Sequence, residues 1–107
     1  MSGERFVHRA IYRTEERIPP ATGLICSEIT RGPYRAVIWS HYQKKWAFNP
    51  NAAAPFMFDL EYMDRGSKIS REDAERIARE QFVVPLPREE ELKRICDHGE
   101  QAEKPNP

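Results

Sequence analysis

The chain of 107 residues lacks most of the motifs that mark small enzymes and metal-binding proteins. It has two cysteines, Cys26 and Cys96, which lie too far apart for a zinc or redox motif. Its three histidines are scattered, and its five glycines form no phosphate-binding loop. The sequence therefore predicts no cofactor, no metal site and no nucleotide hydrolysis.

Long hydrophobic runs are also missing. The longest nearly apolar stretch, residues 52–58, is far shorter than the roughly 20 residues that a membrane-spanning helix needs. The first ten residues do not contain the apolar region that is typical of a secretory signal peptide. We therefore expect a cytoplasmic protein with reduced thiols and no membrane partner.

Neither sign of charge is in excess, because 17 basic residues face 17 acidic ones. The balance is uneven along the chain: residues 1–45 hold eight Lys/Arg against four Asp/Glu, and residues 46–107 hold nine against thirteen. A general nucleic-acid binder usually carries a net basic surface, which this chain lacks. The uneven halves instead indicate attraction between them, or between two copies in a homodimer.

The first half of the chain has the pattern of β-strands. Four segments rich in β-branched and aromatic residues predict strands at residues 5–13, 24–30, 34–40 and 45–48. The short break Arg31-Gly32-Pro33 between two of them is typical of a hairpin. We therefore predict a small, mostly antiparallel sheet in this half.

The second half has the pattern of helices. A first helix is predicted to run to about Asp64 with Pro55 in its first turn, and a second covers residues 70–82 with Ser70 as its N-cap. A third is predicted from residue 87 or 88 to about His98, where Gly99 provides a C-terminal cap. Strands followed by helices indicate an α+β fold, with the helices on one face of the sheet and water on the other. We predict one domain over residues 1–98 and a disordered tail over 99–107.

Arginines and aromatic residues in the predicted strands suggest a contact surface. In an extended strand, Arg5, Arg9 and Arg13 project to one side. Arg35 shares a side of its own strand with Trp39, and Trp46 follows in the next strand. Because Arg and Trp are enriched in binding hot spots, the leading hypothesis is a non-enzymatic accessory, regulatory or immunity-type protein. Its predicted partner-binding residues are Arg5, Arg9, Arg13, Arg35, Trp39 and Trp46.

Three other interpretations remain open. The arginines could form a solvated face paired with acidic side chains. The aromatic residues of the strands and first helix could likewise be ordinary core; they are Trp39, Tyr42, Trp46, Phe48, Phe56, Phe58 and Tyr62. The same face could instead bind nucleic acid by phosphate contacts and base stacking. A small enzyme or ligand-binding protein could have a pocket near Cys26, Glu28 and His41. The sequence around them contains neither the glycine-rich nucleophile elbow nor an oxyanion-hole motif of known hydrolases. No catalytic residue is assigned.

Overall fold

A computed structural model of the chain describes residues 5–29, 34–59 and 62–103. It has the predicted α+β architecture, with an antiparallel sheet followed by helices. The strands are β1 (Phe6–Ile11), β2 (Gly23–Glu28), β3 (Ala36–Ser40), β4 (Lys45–Phe48) and β5 (Gly66–Ile69). The α-helices are α1 (Pro50–Phe58), α2 (Arg71–Ile77) and α3 (Glu89–Glu103). No helix within these described ranges is long and apolar enough to cross a membrane.

The sheet has the strand order β4-β3-β2-β1-β5, and every neighbouring pair is antiparallel. The predicted pairing of β2 with β3 is confirmed, with Ile25 opposite Ile38. The predicted turn at residues 31–33 lies outside the described residues. Strand β5 was not predicted, because its Gly-Ser-Lys-Ile sequence has no hydrophobic run and forms a strand only by pairing with β1.

The first strand is shorter than the predicted 5–13. Arg5 precedes β1, and Arg13 follows Ile11 by two residues in an exposed segment. The backbone N–H of Tyr12 donates to the Arg65 carbonyl, just past the end of the strand. The ladder of three arginines predicted for one strand is therefore reduced to Arg9.

Helices cover both faces of the sheet, which corrects the prediction of one face open to water. Helices α2 and α3 pack on the face that carries Phe6, Leu24 and Val37. Helix α1 packs on the opposite face, where Ala53 joins Ile11, Ile25 and Ala36. The reason is that β1 and β2 present apolar side chains in both directions, so each face requires a cover.

Helix α1 begins earlier and ends earlier than predicted. The Asn49 side chain accepts a hydrogen bond from the Ala52 N–H. Pro50 occupies the first turn, where the backbone N–H that proline lacks would have no acceptor within the helix. Pro55 consequently lies inside the helix rather than in its first turn. The helix ends at Phe58, and a 3₁₀ turn at Met63–Arg65 leads into β5.

The predicted second helix is confirmed in position, and its Ser70 cap accepts a hydrogen bond from the Asp73 N–H. Its last part, Ala78–Phe82, is a π-helix that ends at Val83 in the left-handed backbone region. A β-branched residue is uncommon in that region, since Cβ crowds the backbone.

Helix α3 passes through Gly99 and continues to Glu103. The predicted end at about His98 is therefore wrong. The disordered tail over residues 99–107 stays a prediction, and residues 104–107 lie outside the described part. Gly99 serves close packing rather than capping, because a Cβ added there would overlap the Phe48 ring.

Candidate protein-interaction surface

The three N-terminal arginines occupy different positions around β1. The side chain of Arg9 projects from the face that α1 packs against, since Arg9 lies opposite Ile25 in β2. The backbone N–H of Arg5 donates to the Glu89 carboxylate, at 3.1 and 3.2 Å from its two oxygens. These residues therefore do not form a row on one side of a strand.

The remaining predicted contact residues lie on the other face of the sheet. Val37 belongs to the core beneath α2 and α3, and Trp39 lies two residues further along β3 on the same side. Arg35 immediately precedes β3 and reaches α3 on this side as well. Trp46 is directly opposite Trp39 and faces the same way. The expected single face that combines the arginines with both tryptophans is therefore not formed. Binding by any one of these residues stays a prediction.

Arg35 is neutralised inside the fold. Its guanidinium lies 2.7 Å from Glu28, 2.7 Å from Asp97 and 3.2 Å from Glu100. The side chains of Arg35 and Glu28 are only 14% and 12% exposed. Arg35 thus joins the β2–β3 hairpin to α3, and it accounts for part of the opposite charge balance of the two halves.

The two tryptophans form an aromatic cluster with Phe82 from the π-helix. The Trp39 ring stacks on Phe82 with centroids 5.3 Å apart, and Trp46 meets Trp39 edge to face at 5.2 Å. Trp39 is buried, whereas Trp46 at the edge strand is partly exposed. The cluster therefore mainly attaches the π-helix to the sheet.

Cys26, Glu28 and His41 do not form a catalytic group, since no hydrogen bond joins them in the described part of the chain. Cys26 is completely buried, and this burial raises the pKa of its thiol to about 12. Glu28 is bound to Arg35, and the His41 Nε2–H donates to the Thr22 carbonyl at 2.6 Å. A buried thiol that stays protonated is not a reactive nucleophile, so the described arrangement of these three residues does not match a Cys–His–Glu triad.

A different group of residues combines positive charge with aromatic rings. Arg9 lies directly opposite Lys68 of β5, and cross-strand partners share a face. Tyr34 lies on this face as well, because its hydroxyl shares a 2.8 Å hydrogen bond with Ser27. The Tyr34 ring meets Phe58 edge to face at 5.3 Å. We call the set of Arg9, Lys68, Tyr34 and Phe58 the basic–aromatic face.

No carboxylate of the described residues forms an ion pair with the two cations of this face. Within the described residues neither Arg9 nor Lys68 has an ion pair, and the buried Nε of Arg9 has no acceptor. Like charges directly opposite each other on a sheet repel and are destabilising. Burial raises the pKa of Tyr34, so its hydroxyl stays neutral and supplies no compensating charge. The face is therefore suited to an anionic group from outside the chain.

Sequence patterns indicate little about three of these four residues. Lys68 follows Gly66 in a segment with no strand pattern, and Phe58 belongs to the aromatic cluster that the sequence indicates as ordinary core more than as a binding site. Tyr34 was placed in a strand, but its neighbour across the sheet depends on register. Arg9 alone was predicted as a contact residue.

Comparison of the chain with protein-family models, curated proteins and solved structures finds no match. The described residues contain no group of three His, Cys, Asp or Glu side chains that could hold a metal ion.

Proposed function

We propose that the protein is a non-enzymatic interaction module that binds an acidic surface of a protein partner through the basic–aromatic face. The observation that carries this proposal is the Arg9–Lys68 pair, two directly opposed cations without a carboxylate among the described residues. A partner carboxylate beside this pair would relieve their repulsion and accept a hydrogen bond from the guanidinium.

The aromatic side of the face supports a macromolecular partner. Phe58 is 64% exposed although it is a large apolar side chain. The Tyr34 ring packs edge to face against it. Binding hot spots typically place an aromatic anchor next to arginine, with a polar rim around them. The combination favours a protein surface with an apolar contact and flanking acidic residues.

The experiment is affinity capture from native lysate with the full chain and two variants, Lys68→Glu and Phe58→Ser, compared side by side by quantitative mass spectrometry. We expect a partner that wild type captures and both variants lose at least tenfold, because one reverses the attracting charge and the other removes the anchor. The purified partner should then bind more weakly as salt rises.

Matched controls change the same residue types away from the face. Lys44→Glu reverses another exposed lysine, and Tyr42→Ser removes a ring that is 96% exposed in the turn before β4. Both controls should retain the partner. Equal capture by Lys68→Glu, Phe58→Ser and wild type, or equal loss in the controls, would contradict the proposal.

Nucleic acid is the second candidate ligand, because cations next to exposed rings also suit phosphate contacts and base stacking. A fluorescent 20-nucleotide single strand of random sequence tests it by anisotropy at about 20 mM and 200 mM salt. This candidate requires binding at low salt that falls steeply at high salt and is weakened in Lys68→Glu. Absence of binding at low salt eliminates it.

A further inference from the structure

A second surface lies at the opposite edge of the sheet, between β4 and α3. Strand β4 pairs with β3 on one side, and its other side has no strand partner in the described chain. Helix α3 runs beside this edge and touches it at Gly99, which lies against Phe48. The strand and the helix leave an open groove of about 470 Å³ between them.

The floor of the groove is apolar and the rim is mainly basic. Trp46, Phe48 and Ile95 supply the apolar lining. The titratable side chains that line it are Lys45, Arg94, His98 and Glu91. None of these four has an ion pair or hydrogen bond to another described side chain. Two permanent cations and a histidine therefore face one carboxylate, which favours acidic residues in an occupant.

The edge of β4 determines the shape of that occupant. An unpaired strand edge offers backbone N–H and C=O groups at regular intervals, and an extended chain satisfies them by adding a strand. Strand β4 has four residues and is about 13 Å long at the usual rise of a strand, so it pairs with a segment of similar length. Alternate side chains of that segment would point into the groove, toward Trp46 and Phe48.

We propose that this groove binds an extended, acidic peptide segment of another protein, which adds to the sheet beside β4. Apolar side chains of the segment enter the groove at every second position, and its carboxylates meet Lys45 and Arg94. The site is distinct from the basic–aromatic face, because α3 and α1 pack on opposite faces of the sheet.

The test is selection of a displayed library of random 12-residue peptides against the full chain, followed by NMR with the enriched peptides. We expect apolar residues that alternate with Asp or Glu, and amide shifts and slowed hydrogen exchange at residues 45–48. Affinity should fall at least tenfold in Arg94→Glu. It should be unchanged in Arg79→Glu, which reverses an exposed arginine of the π-helix outside the groove.

Backbone methylation of an enriched peptide tests strand addition directly. Methyl groups on one alternate set of peptide nitrogens should abolish binding, while methylation of the other set should leave it within about threefold, since only alternate N–H groups face β4. The proposal is overturned if no peptide is enriched, if peptides bind equally to Arg94→Glu, or if the two methylated sets behave alike. A dimer by light scattering with β4 protected before peptide is added also overturns it, because a second copy would then occupy the edge.

Discussion

Burial separates residues of the same type into different chemical roles in this protein. Arg35 is held by three carboxylates, whereas Arg9 lies opposite a lysine without one among the described residues. Cys26 and Cys96 are both buried and unpaired, although cysteine is often considered first as a reactive group. Local surroundings, and not residue type, decide which side chains are available for function.

The two thiols are expected to be unreactive in the folded protein. Burial raises the pKa of Cys26 from 9.0 to about 12 and that of Cys96 to about 11, so both stay protonated at neutral pH. With Ellman's reagent at pH 8, native protein should react slowly. Denatured protein should react at both cysteines and release two thionitrobenzoate ions per chain. Rapid labelling of the native protein would contradict this prediction.

The raised thiol pKa values also have a consequence for alkaline stability. The folded state holds these protons more tightly than the unfolded state, so stability is undiminished below pH 9 and falls as pH rises through the folded pKa values. Cys26→Ala should make the free energy of unfolding less dependent on pH between about 9 and 12.

At the scale of single elements, close approach determines the position of α3. The helix packs its apolar side, including Leu92 and Cys96, on the core and continues along the edge of the sheet past Phe48. Gly99 permits this approach because it has no Cβ. The same contact closes the base of the groove proposed to bind peptides.

Gly99→Ala should destabilise the protein even though alanine favours helices. The added Cβ would overlap both the ring and the Cβ of Phe48, and the latter cannot rotate away. Overpacking of this kind costs roughly 1–3 kcal/mol. Alanine favours the helix over glycine by about 0.8–1.0 kcal/mol, so we expect a net decrease in the free energy of unfolding that urea denaturation can measure.

Gln101→Ala, at an exposed position of the same helix, is the control and should change stability little. Equal stability of both variants would contradict this packing role.

At the scale of the whole molecule, charge attraction joins the two halves of the chain. Arg35 from the sheet lies between Glu28 on the neighbouring strand and Asp97 and Glu100 on α3. Lys93 also pairs with Asp97 on the exposed side of the helix. Part of the opposite charge of the two halves is thus paired within one chain. The uneven charge distribution is therefore a weaker reason to expect a homodimer.

Arg35→Met should lower the free energy of unfolding at pH 7 by roughly 3 kcal/mol, since removal of one partner leaves Glu28 charged and buried. The hydrogen bond from Arg35 lowers the pKa of Asp97 below 3.8. A lowered pKa stabilises the folded state above pH 3.8, and this contribution is lost as pH falls. Urea denaturation should therefore show that wild type and variant differ less at pH 3 than at pH 7.

The control for this prediction is Arg76→Met, which breaks an exposed pair with Asp73 on α2. Exposed pairs contribute about 0–1 kcal/mol, so the control should remain close to wild type at both pH values. A difference between wild type and Arg35→Met that is the same at pH 3 and pH 7 would show that the loss comes from packing rather than charge.

The sequence by itself determined the fold class, four of the five strands, the β2–β3 hairpin and the Ser70 cap. These features depend on local propensity and on side-chain alternation, which neighbouring residues reveal. Tertiary structure decided the rest: the fifth strand, the helix on the second face, the cross-strand neighbour of Arg9 and the ion-pair partners of Arg35. Those depend on register and on contacts between distant segments, such as Lys68 beside Arg9 and Asp97 beside Arg35. A one-residue change of register would move each side chain to the other face, so sequence patterns alone did not identify the candidate surface.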